Sequence, residues 1–348
     1  MRSGPSESAL ASAVSWRPRV SSWLAGRLLA DDIPVLSGRL TWDASANVPD
    51  ALKMVVPRFD GRRDYLPTSP DAPLARFGQQ LDVSIEVAGV DVRMGRYLIV
   101  DWDYDESTIT VTAAGLLQIA VDSRFLSTVA PRAAGTLRSE FLRLLPEQMS
   151  AQFDPRLVDR AVPKAMSWSE ERIDALWDIA DAWPAVLRPD PWGQVLVKPA
   201  VAVSTRPVLS VKDGEDGTVV SVPRGDTRDG AYNIVVARSS ADGVDAQAIA
   251  RVTSGPMNVA TYNPVPRFYE SPLLRTVAQC QATADAMRDD SARQSSVLKV
   301  TMVPDPRPEL DDTIGVTRDG ELFLGVVVAV DMPLTVADGD MRVDLGVS

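Results

Sequence analysis

Leu298-Lys299-Val300-Thr301-Met302-Val303-Pro304 is similar to an earlier stretch of the same chain, Leu52-Lys53-Met54-Val55-Val56-Pro57. Each stretch is typical of a β-strand, because β-branched and other apolar residues favour strands and a proline cannot donate to the ladder that would extend them. The elements that we predict after each stretch follow in the same order. We therefore interpret residues 52–115 and 296–346 as two copies of one β unit, since a duplicated unit dictates architecture. A chance resemblance between two short β-meanders is the alternative.

The later copy continues with a predicted hairpin. Its turn is Arg318-Asp319-Gly320, because an Asp-Gly pair readily supplies the positive φ angles of a hairpin turn. The apolar runs 322–324 and 326–328 indicate a strand that is buried on both faces. We predict strands at residues 313–316 and 322–331 in the later copy, and at residues 35–42, 81–87, 97–102 and 107–113 around the earlier one. An antiparallel meander of this kind can close into a barrel.

Composition excludes several classes of protein. The chain has 348 residues, with 36 Lys and Arg against 47 Asp and Glu, and contains no histidine. A net charge of -11 argues against a surface built to bind nucleic-acid phosphates. The longest apolar run is too short for a membrane helix, and no apolar segment near the start suggests a secretory signal. The single cysteine, Cys280, lies in an apolar helical pattern and is predicted to be a packed thiol.

The length predicts two or three domains. We place an N-terminal arm at residues 1–30, a first tube-like β-barrel domain at 31–124, an α+β module at 125–207, and a second tube-like β-barrel domain at 208–348. The last carries an inserted loop and helix region at about 240–291. Trp16 and Trp23 lie on the polar arm, where no local core could bury them. The arm therefore either docks elsewhere or forms a short helix folded back on its own domain.

The α+β module is predicted to hold two helices and a hairpin. The first helix starts at Thr136 and is stopped by Pro146; the second starts at a capping box, Ser167-Trp168-Ser169-Glu170, and is ended by Pro184. The hairpin pairs residues 185–187 with 194–198. The second helix shows an apolar stripe, more typical of a core than of a binding site, that consists of Ile173, Leu176, Trp177, Ala180 and Trp183.

The region after residue 208 returns to β structure. Strands are predicted at 218–222 and 233–238, separated by a turn at Arg228-Asp229-Gly230. Residues 240–271 show little periodicity and contain five glycines and prolines, which predicts a long excursion or loop. A helix is then expected to open at Pro272, with one face formed by Leu274, Val277, Ala278, Gln281, Ala284 and Met287.

The sequence offers no catalytic motif. Without histidine, every triad or metal site that uses it is excluded, and no phosphate-binding glycine loop or nucleophile elbow is present. Residues 101–106 form an acidic cluster, but the glycine and distal glutamate of a calcium loop are replaced by Glu106 and Thr112. We therefore predict no catalytic, cofactor-binding or metal-binding residues. Glycoside hydrolysis, which needs only two carboxylates, stays open as an alternative.

Taken in order, several short stretches resemble the minor tail proteins of actinobacterial siphophages, which are similar to hub proteins of phage baseplates. One departure is Asp311-Asp312, where the family commonly has Gly-Asp. The likeness runs from about residue 14 onward and is carried by 35–41, Pro73-Leu74-Ala75-Arg76-Phe77-Gly78-Gln79-Gln80-Leu81, Arg124-Phe125, Asp190-Pro191-Trp192-Gly193-Gln194-Val195, 232–236, Phe268-Tyr269-Glu270-Ser271-Pro272 and Val303-Pro304-Asp305-Pro306.

The resemblance implies a mainly β fold with α+β insertions, in which two tail-tube-like β-barrel units accompany a small helix-hairpin module. It implies a non-enzymatic hub in the virion tail tip, synthesised and assembled in the host bacterial cytoplasm. Three copies would form a ring that adapts a sixfold tail tube to a threefold tip and lines the DNA-ejection channel. The implied partners are further copies, the distal tail protein ring and tail-tip or fibre proteins, with the tape measure protein as a further candidate; DNA only passes through, and no stable membrane insertion is implied.

Two alternatives remain. One is a peptidoglycan-cleaving tail-associated enzyme, which would need an inward pair of acids in a cleft. The other is the hub of a phage-derived injection particle or gene transfer agent, which would use the same ring.

Overall fold

The computed structural model describes residues 1–10, 15–200, 203–226 and 232–347. The first β unit follows a short helix α1 (Glu7–Leu10). Its strands are β1 (Trp16–Leu24), β2 (Arg27–Ala30), β3 (Ser37–Asp43), β4 (Asp50–Pro57), β5 (Gln80–Val87), β6 (Val90–Asp105) and β7 (Thr108–Gly115). The predicted turn at residues 228–230 lies outside the described residues.

A mixed α/β lobe comes next. It begins with α2 (Gln118–Asp122), α3 (Leu137–Leu144), β8 (Ala151–Phe153), α4 (Arg172–Ala182), β9 (Ala185–Pro189) and β10 (Val195–Pro199). After the first strands of the second β unit, β11 (Leu209–Lys212), β12 (Val219–Ser221) and β13 (Arg224–Asp226), the chain returns to this lobe as β14 (Ile234–Ser239), β15 (Gln247–Arg251), β16 (Pro266–Ser271) and α5 (Val277–Ser295).

The second β unit is completed by the end of the chain. Its remaining strands are β17 (Ser296–Met302), β18 (Thr313–Arg318), β19 (Glu321–Pro333) and β20 (Met341–Gly346), with a 3-10 turn at Val336–Asp338. The fold is therefore mainly β, with α+β parts inserted, as the sequence predicts.

One continuous sheet joins the two β units. Within the described part of the chain it contains 14 strands, and its main path runs β12-β17-β20-β19-β3-β4-β7-β6-β5-β1-β2. The units meet where β19 pairs antiparallel with β3, from Ala329 opposite Asp43 to Pro333 opposite Arg39. A single hydrophobic core runs through both units.

The first β unit must curl. Its outermost strands in the hydrogen-bonded order, β2 and β3, are consecutive in the chain and joined by residues 31–36. Seven strands laid flat would span about 29 Å, whereas this link reaches at most about 25 Å. The outer strands of the second unit, β11 and β12, are likewise consecutive in the chain. Both units thus bring the two ends of their strand order close together, as in a barrel.

A second hydrophobic core holds the mixed lobe together. It includes Phe141 and Leu176 from the module together with Val235, Cys280 and Ala284 from the later segment. Its two three-stranded sheets have the orders β8-β10-β9 and β15-β14-β16. The inserted region of the second unit thus shares its core with the module. Cys280 is buried, with Sγ 3.5 Å from the carbonyl oxygen of Ala246, which confirms the packed thiol.

The predicted N-terminal arm must be corrected, because most of it belongs to the first β unit. Residues 16–30 form β1 and β2, and β1 pairs with β5 over eight positions from Trp16 opposite Val87 to Trp23 opposite Gln80. The indole of Trp16 packs against the first core and donates to the carbonyl oxygen of Leu334 at 3.0 Å. Sequence patterning missed this strand because its inward positions include Ser22, whose hydroxyl is satisfied by the carbonyl oxygen of Pro73.

Four further predictions also need correction. The helix α4 starts at Arg172 without a side-chain cap, so the capping box at residues 167–170 is wrong. Residues 240–271 contain β15 and β16 and are not one long loop. The helix expected at Pro272 begins at Val277, and both Val277 and Ala278 are exposed. Finally, Leu322 is exposed, so burial on both faces does not hold for the run 322–324; in β19 it is seen from Gly325 to Val327 and at Met332 and Pro333.

Candidate assembly junctions

The two β units repeat the same four strands. In the first unit the order is β4-β7-β6-β5, and in the second it is β17-β20-β19-β18, with every neighbouring pair antiparallel. The flanking strand on one side also agrees, because β3 pairs antiparallel with β4 as β13 does with β17. The other flank differs, since β1 is antiparallel to β5 while β11 is parallel to β18.

The registers of the two units agree residue by residue. Val100 is the extra residue of a β-bulge between β6 and β7, and Val328 is the extra residue of the same bulge between β19 and β20. The residues just before the bulges, Ile99 and Val327, pair with Ala113 and Leu345. These pair in turn with Leu52 and Leu298, which therefore occupy equivalent positions. These are the two residues from which the similar sequences start. A conserved bulge position and register make the duplication specific, because a bulge is a designed feature of a sheet.

The loop before the second strand of each unit is equivalent as well. The N–H of Ile99 donates to the carbonyl oxygen of Gln79 at 3.0 Å, and the N–H of Val327 donates to that of Asp312 at 2.9 Å. The residue before each acceptor has a positive φ angle, 103° at Gly78 and 71° at Asp311. Glycine adopts this conformation without strain. The Asp311-Asp312 departure therefore keeps the backbone conformation of a glycine position.

The contacts of Asp311 explain why a carboxylate, and not a glycine, occupies that position. It accepts two hydrogen bonds from Arg188, at 2.8 and 3.1 Å, and lies 3.2 Å from the ammonium of Lys198. Burial alone would raise the pKa of this carboxyl group, but the charges and hydrogen bonds of Arg188 and Lys198 outweigh it and hold the pKa below its ordinary value. The ion pair ties the hairpin β9–β10 of the mixed lobe to the second β unit.

Arg39 holds the junction between the two units. Its guanidinium forms an ion pair with Asp331 across the β3–β19 pairing. It also donates to the carbonyl oxygens of Asp338 at 2.7 Å and Asp340 at 3.0 Å. Nothing in the sequence pattern singles out this pair, because Arg39 and Asp331 are 292 residues apart in the chain.

A buried polar cluster lies near the same junction. The carboxylate of Asp50, the hydroxyl of Tyr97 and Nε of Arg2 each have a buried atom without a hydrogen-bond partner among the described residues. The guanidinium of Arg2 also stacks 5.2 Å from the ring centre of Trp42 and donates to the carbonyl oxygen of Pro308 at 2.8 Å. Burial raises the pKa of Asp50 to about 7, although its own N–H and the charge of Arg2 act in the opposite direction.

Asp50 should make stability depend on pH. A carboxyl group whose pKa is higher in the folded protein than in the unfolded chain destabilises the fold at any pH where it must ionise. For Asp50 this loss of stability is absent below about pH 4 and complete above about pH 7. The difference corresponds to roughly 4 kcal/mol. Asp50→Asn is therefore expected to raise the free energy of unfolding at pH 8 by up to this amount and to change it little at pH 4. Denaturant titrations of both proteins at the two pH values provide the measurement; an equal difference at both would contradict the assignment.

The mixed lobe contains a second group of perturbed carboxyl groups. Burial raises the pKa values of Asp178 and Asp181 on α4 to about 6. The charge of Asp174 raises that of Asp178 further, whereas the charge of Arg267 lowers that of Asp181. No group of three or more Asp, Glu or Cys side chains in the described ranges is arranged to hold a metal ion.

A cleft of about 260 Å³ on the first β unit brings together Asp31, Asp32, Asp82 and Asp91 with Arg19 and Arg93. Burial would raise the pKa of Asp82, but Arg96 and Arg93 bind it at 2.7 and 2.6 Å and lower it. A general acid in glycoside hydrolysis needs a raised pKa. Asp82 therefore has the properties of a structural ion-pair partner.

The acidic cluster at residues 101–106 forms the tip of the β6–β7 hairpin. Asp101, Asp103 and Asp105 are exposed along β6. Tyr104 in the same strand accepts a hydrogen bond from Arg58 at 2.8 Å. The tip lies at the end of the longest strand of the first unit.

Solved structures of similar architecture include tail proteins from bacteria and from their prophages. The tail protein from Neisseria meningitidis MC58 superposes with a TM-score of 0.66 at 14% identity, covering 94% of this chain and 96% of that one. The chain has the fold of a phage tail protein. The 43 kDa tail protein of prophage MuSo2 from Shewanella oneidensis gives 0.61 at 13% identity over 94% and 98% of the two chains. Prophage tail protein gp18 from Listeria monocytogenes EGD-e gives 0.57 at 10% identity over 94% of each.

These similarities extend over nearly the full length of both chains, so the tail-protein fold includes the mixed lobe as well as the two β units. The sequence matches no protein-family model and no curated protein. Among the described helices, none combines the length and the apolar character required to cross a bilayer.

Proposed function

We propose that the chain is a structural hub protein of a phage tail tip. Three copies form a ring in which the six β units match the sixfold symmetry of a tail tube, while the mixed lobes present threefold symmetry to the tip. The observation that carries this proposal is the duplication, because two units with the same strand order, bulge and register are what a trimer needs to present six equivalent positions. The tail-protein fold supports it independently.

The same ring would surround the channel through which DNA leaves the particle. The acidic composition, with a net charge of -11, suits a wall that DNA passes without binding, since like charges repel. The neighbours along the tail axis are then the distal tail protein ring on one side and the tip or fibre proteins on the other, with the tape measure protein as a further candidate. Assembly would take place in the host bacterial cytoplasm.

Mass measurement and imaging of the purified chain test the proposal. We expect a species of three chains and, in negative-stain images, rings with threefold symmetry. A single-chain mass at every concentration reached, or a ring of another order, would overturn the proposed hub.

The same preparation distinguishes a structural hub from a cell-wall hydrolase by an activity assay. Purified peptidoglycan is incubated with the chain, and release of soluble sugar or peptide is followed. We expect no release above a heat-denatured control. Release that is lost on replacing Asp178 and Asp181 by asparagine would establish the enzyme instead, since these two carboxyl groups have the raised pKa values that acid catalysis uses.

A further inference from the structure

The longest strand of each β unit extends beyond its hairpin partner. In the second unit, β18 pairs with β19 only up to Val326, and the extension from Ala329 to Pro333 pairs with β3 of the first unit. In the first unit, β5 pairs with β6 only up to Leu98. Beyond that point β6 pairs with β7 alone among the described strands. The edge of residues 101–105 that would continue β5 is therefore open.

The two extensions occupy equivalent positions. Since Val100 and Val328 are the same bulge residue, residues 101–105 in the first unit correspond to residues 329–333 in the second. The second extension is used for the junction within the chain, whereas the first meets no such strand in the described ranges.

Side-chain exposure supports the equivalence. Val330 and Met332 are 3% and 0% exposed at the junction within the chain. Their equivalents in β6 are Trp102, which is only partly buried against the first core, and Tyr104, which is 40% exposed. Partly exposed aromatic side chains on a strand extension are expected where a partner strand is missing.

The complementary edge is open in the second unit. The strand β3, which receives β19, pairs on its other side with β4, where Leu40 lies opposite Leu52. Its equivalent is β13, where Arg224 lies opposite Leu298 of β17. No strand in the described part of the chain pairs with the other edge of β13.

We infer that residues 102–105 of one copy pair as an antiparallel strand with residues 223–226 of the next copy. This inference rests on the proposed ring and names the contact that closes it. The main-chain groups that bond within the chain are those of even-numbered residues, as the bonds from Leu334 N–H to Gly38 and from Ala44 N–H to Val328 show. The corresponding main-chain groups between copies are those of Trp102 with Asp226 and of Tyr104 with Arg224.

This contact joins different surfaces of the two copies, so it must either close into a ring or continue as a filament. Within each chain, the extension of unit two already meets unit one. Between chains, the extension of unit one meets unit two. The two junctions alternate with the same strand geometry around the assembly, and three chains supply six of them. Both open strand edges are then covered, as soluble proteins require.

A disulfide tests the register. Asp331 lies opposite Thr41 at the junction within the chain, which places Asp103 opposite Gly225 of the next copy. These are positions between the hydrogen-bonded pairs, where Cα atoms lie about 4.5 Å apart, within the range that a disulfide spans. The variant D103C/G225C is oxidised and run on a denaturing gel without reductant. Cys280 is buried and should not react. We expect covalent species of up to three chains and none larger, with the trimer predominating.

The control D91C/G225C places the first cysteine on the same strand but in the segment that β5 covers, and should give single chains. If the mass shows a trimer but D103C/G225C forms no disulfide, the junction is overturned and the ring stands. If the native chain stays single, both are overturned. A ladder beyond three chains would show an open filament and would also overturn the closed ring.

A second variant checks the junction without engineered thiols. Tyr104→Asp replaces a half-exposed side chain and removes an exposed hydrogen bond from Arg58, so the unfolding temperature of the separated chain should change little. A charge placed in the junction should weaken trimer formation at least about tenfold. Unchanged association would contradict the junction.

Discussion

Replacing Val327 with aspartate is expected to prevent the chain from folding. Val327 is 0% exposed and lies in the core that both β units share. The change removes roughly 1.5–3 kcal/mol of apolar burial. It also places a carboxylate in a hydrophobic core, at a cost of several kcal/mol. Together these approach the whole stability of a typical domain, which is about 5–15 kcal/mol.

The measurement is the yield of soluble chain together with its thermal unfolding transition. Leu322→Asp is the matched control, since Leu322 lies on the same strand but is 58% exposed. It should fold with a nearly unchanged transition. A well-folded Val327→Asp protein would show that the shared core is not continuous through β19.

The second large effect is expected for Asp311→Gly. Glycine accepts the positive φ angle of 71° at this position without strain. The substitution therefore relieves backbone strain, and a loss of stability beyond that of a control Asp→Gly variant reports the missing carboxylate. Arg188 is 6% exposed, and without Asp311 its charge stays buried with only a carbonyl oxygen as partner. Breaking a buried ion pair in this way costs about 3–5 kcal/mol.

Chemical denaturation gives the change in the free energy of unfolding. Asp319→Gly is the control, because Asp319 also has a positive φ angle, 51°, but its side chain is 86% exposed. It should change stability by less than about 1 kcal/mol. Equal effects of the two variants would mean that the ion pair contributes nothing beyond backbone conformation.

The parts of the fold that could be predicted are those with strong local patterns. The strict alternation of residues 81–87 appears as alternate burial in β5, and the Asp319-Gly320 turn has positive φ angles at both residues. The similarity that starts at Leu52 and Leu298 proved correct in register. Duplication leaves a sequence signal because equivalent positions in two cores need similar side chains.

The parts that were missed have weak local patterns or depend on distant contacts. In β15 the inward residues are Ala248 and Ala250, whose small side chains give little hydrophobic contrast with the exposed positions. The ion pair between Arg188 and Asp311 joins residues 123 positions apart. Such a pair cannot be deduced from either neighbourhood alone, since each partner resembles an ordinary surface charge until the fold brings them together.

The pairing of β3 with β19 also determines when, during synthesis, the outer edge of β3 can be covered. A ribosome that has made the first β unit has completed β3, but the strand that covers its outer edge ends at Pro333. At about 5–20 residues per second, the intervening chain takes on the order of 15 to 60 s to emerge. Throughout that interval the nascent protein exposes an unpaired strand edge, which can pair with other chains on the same messenger. Slow translation should therefore favour aggregation of this protein, and early capture by a chaperone should oppose it.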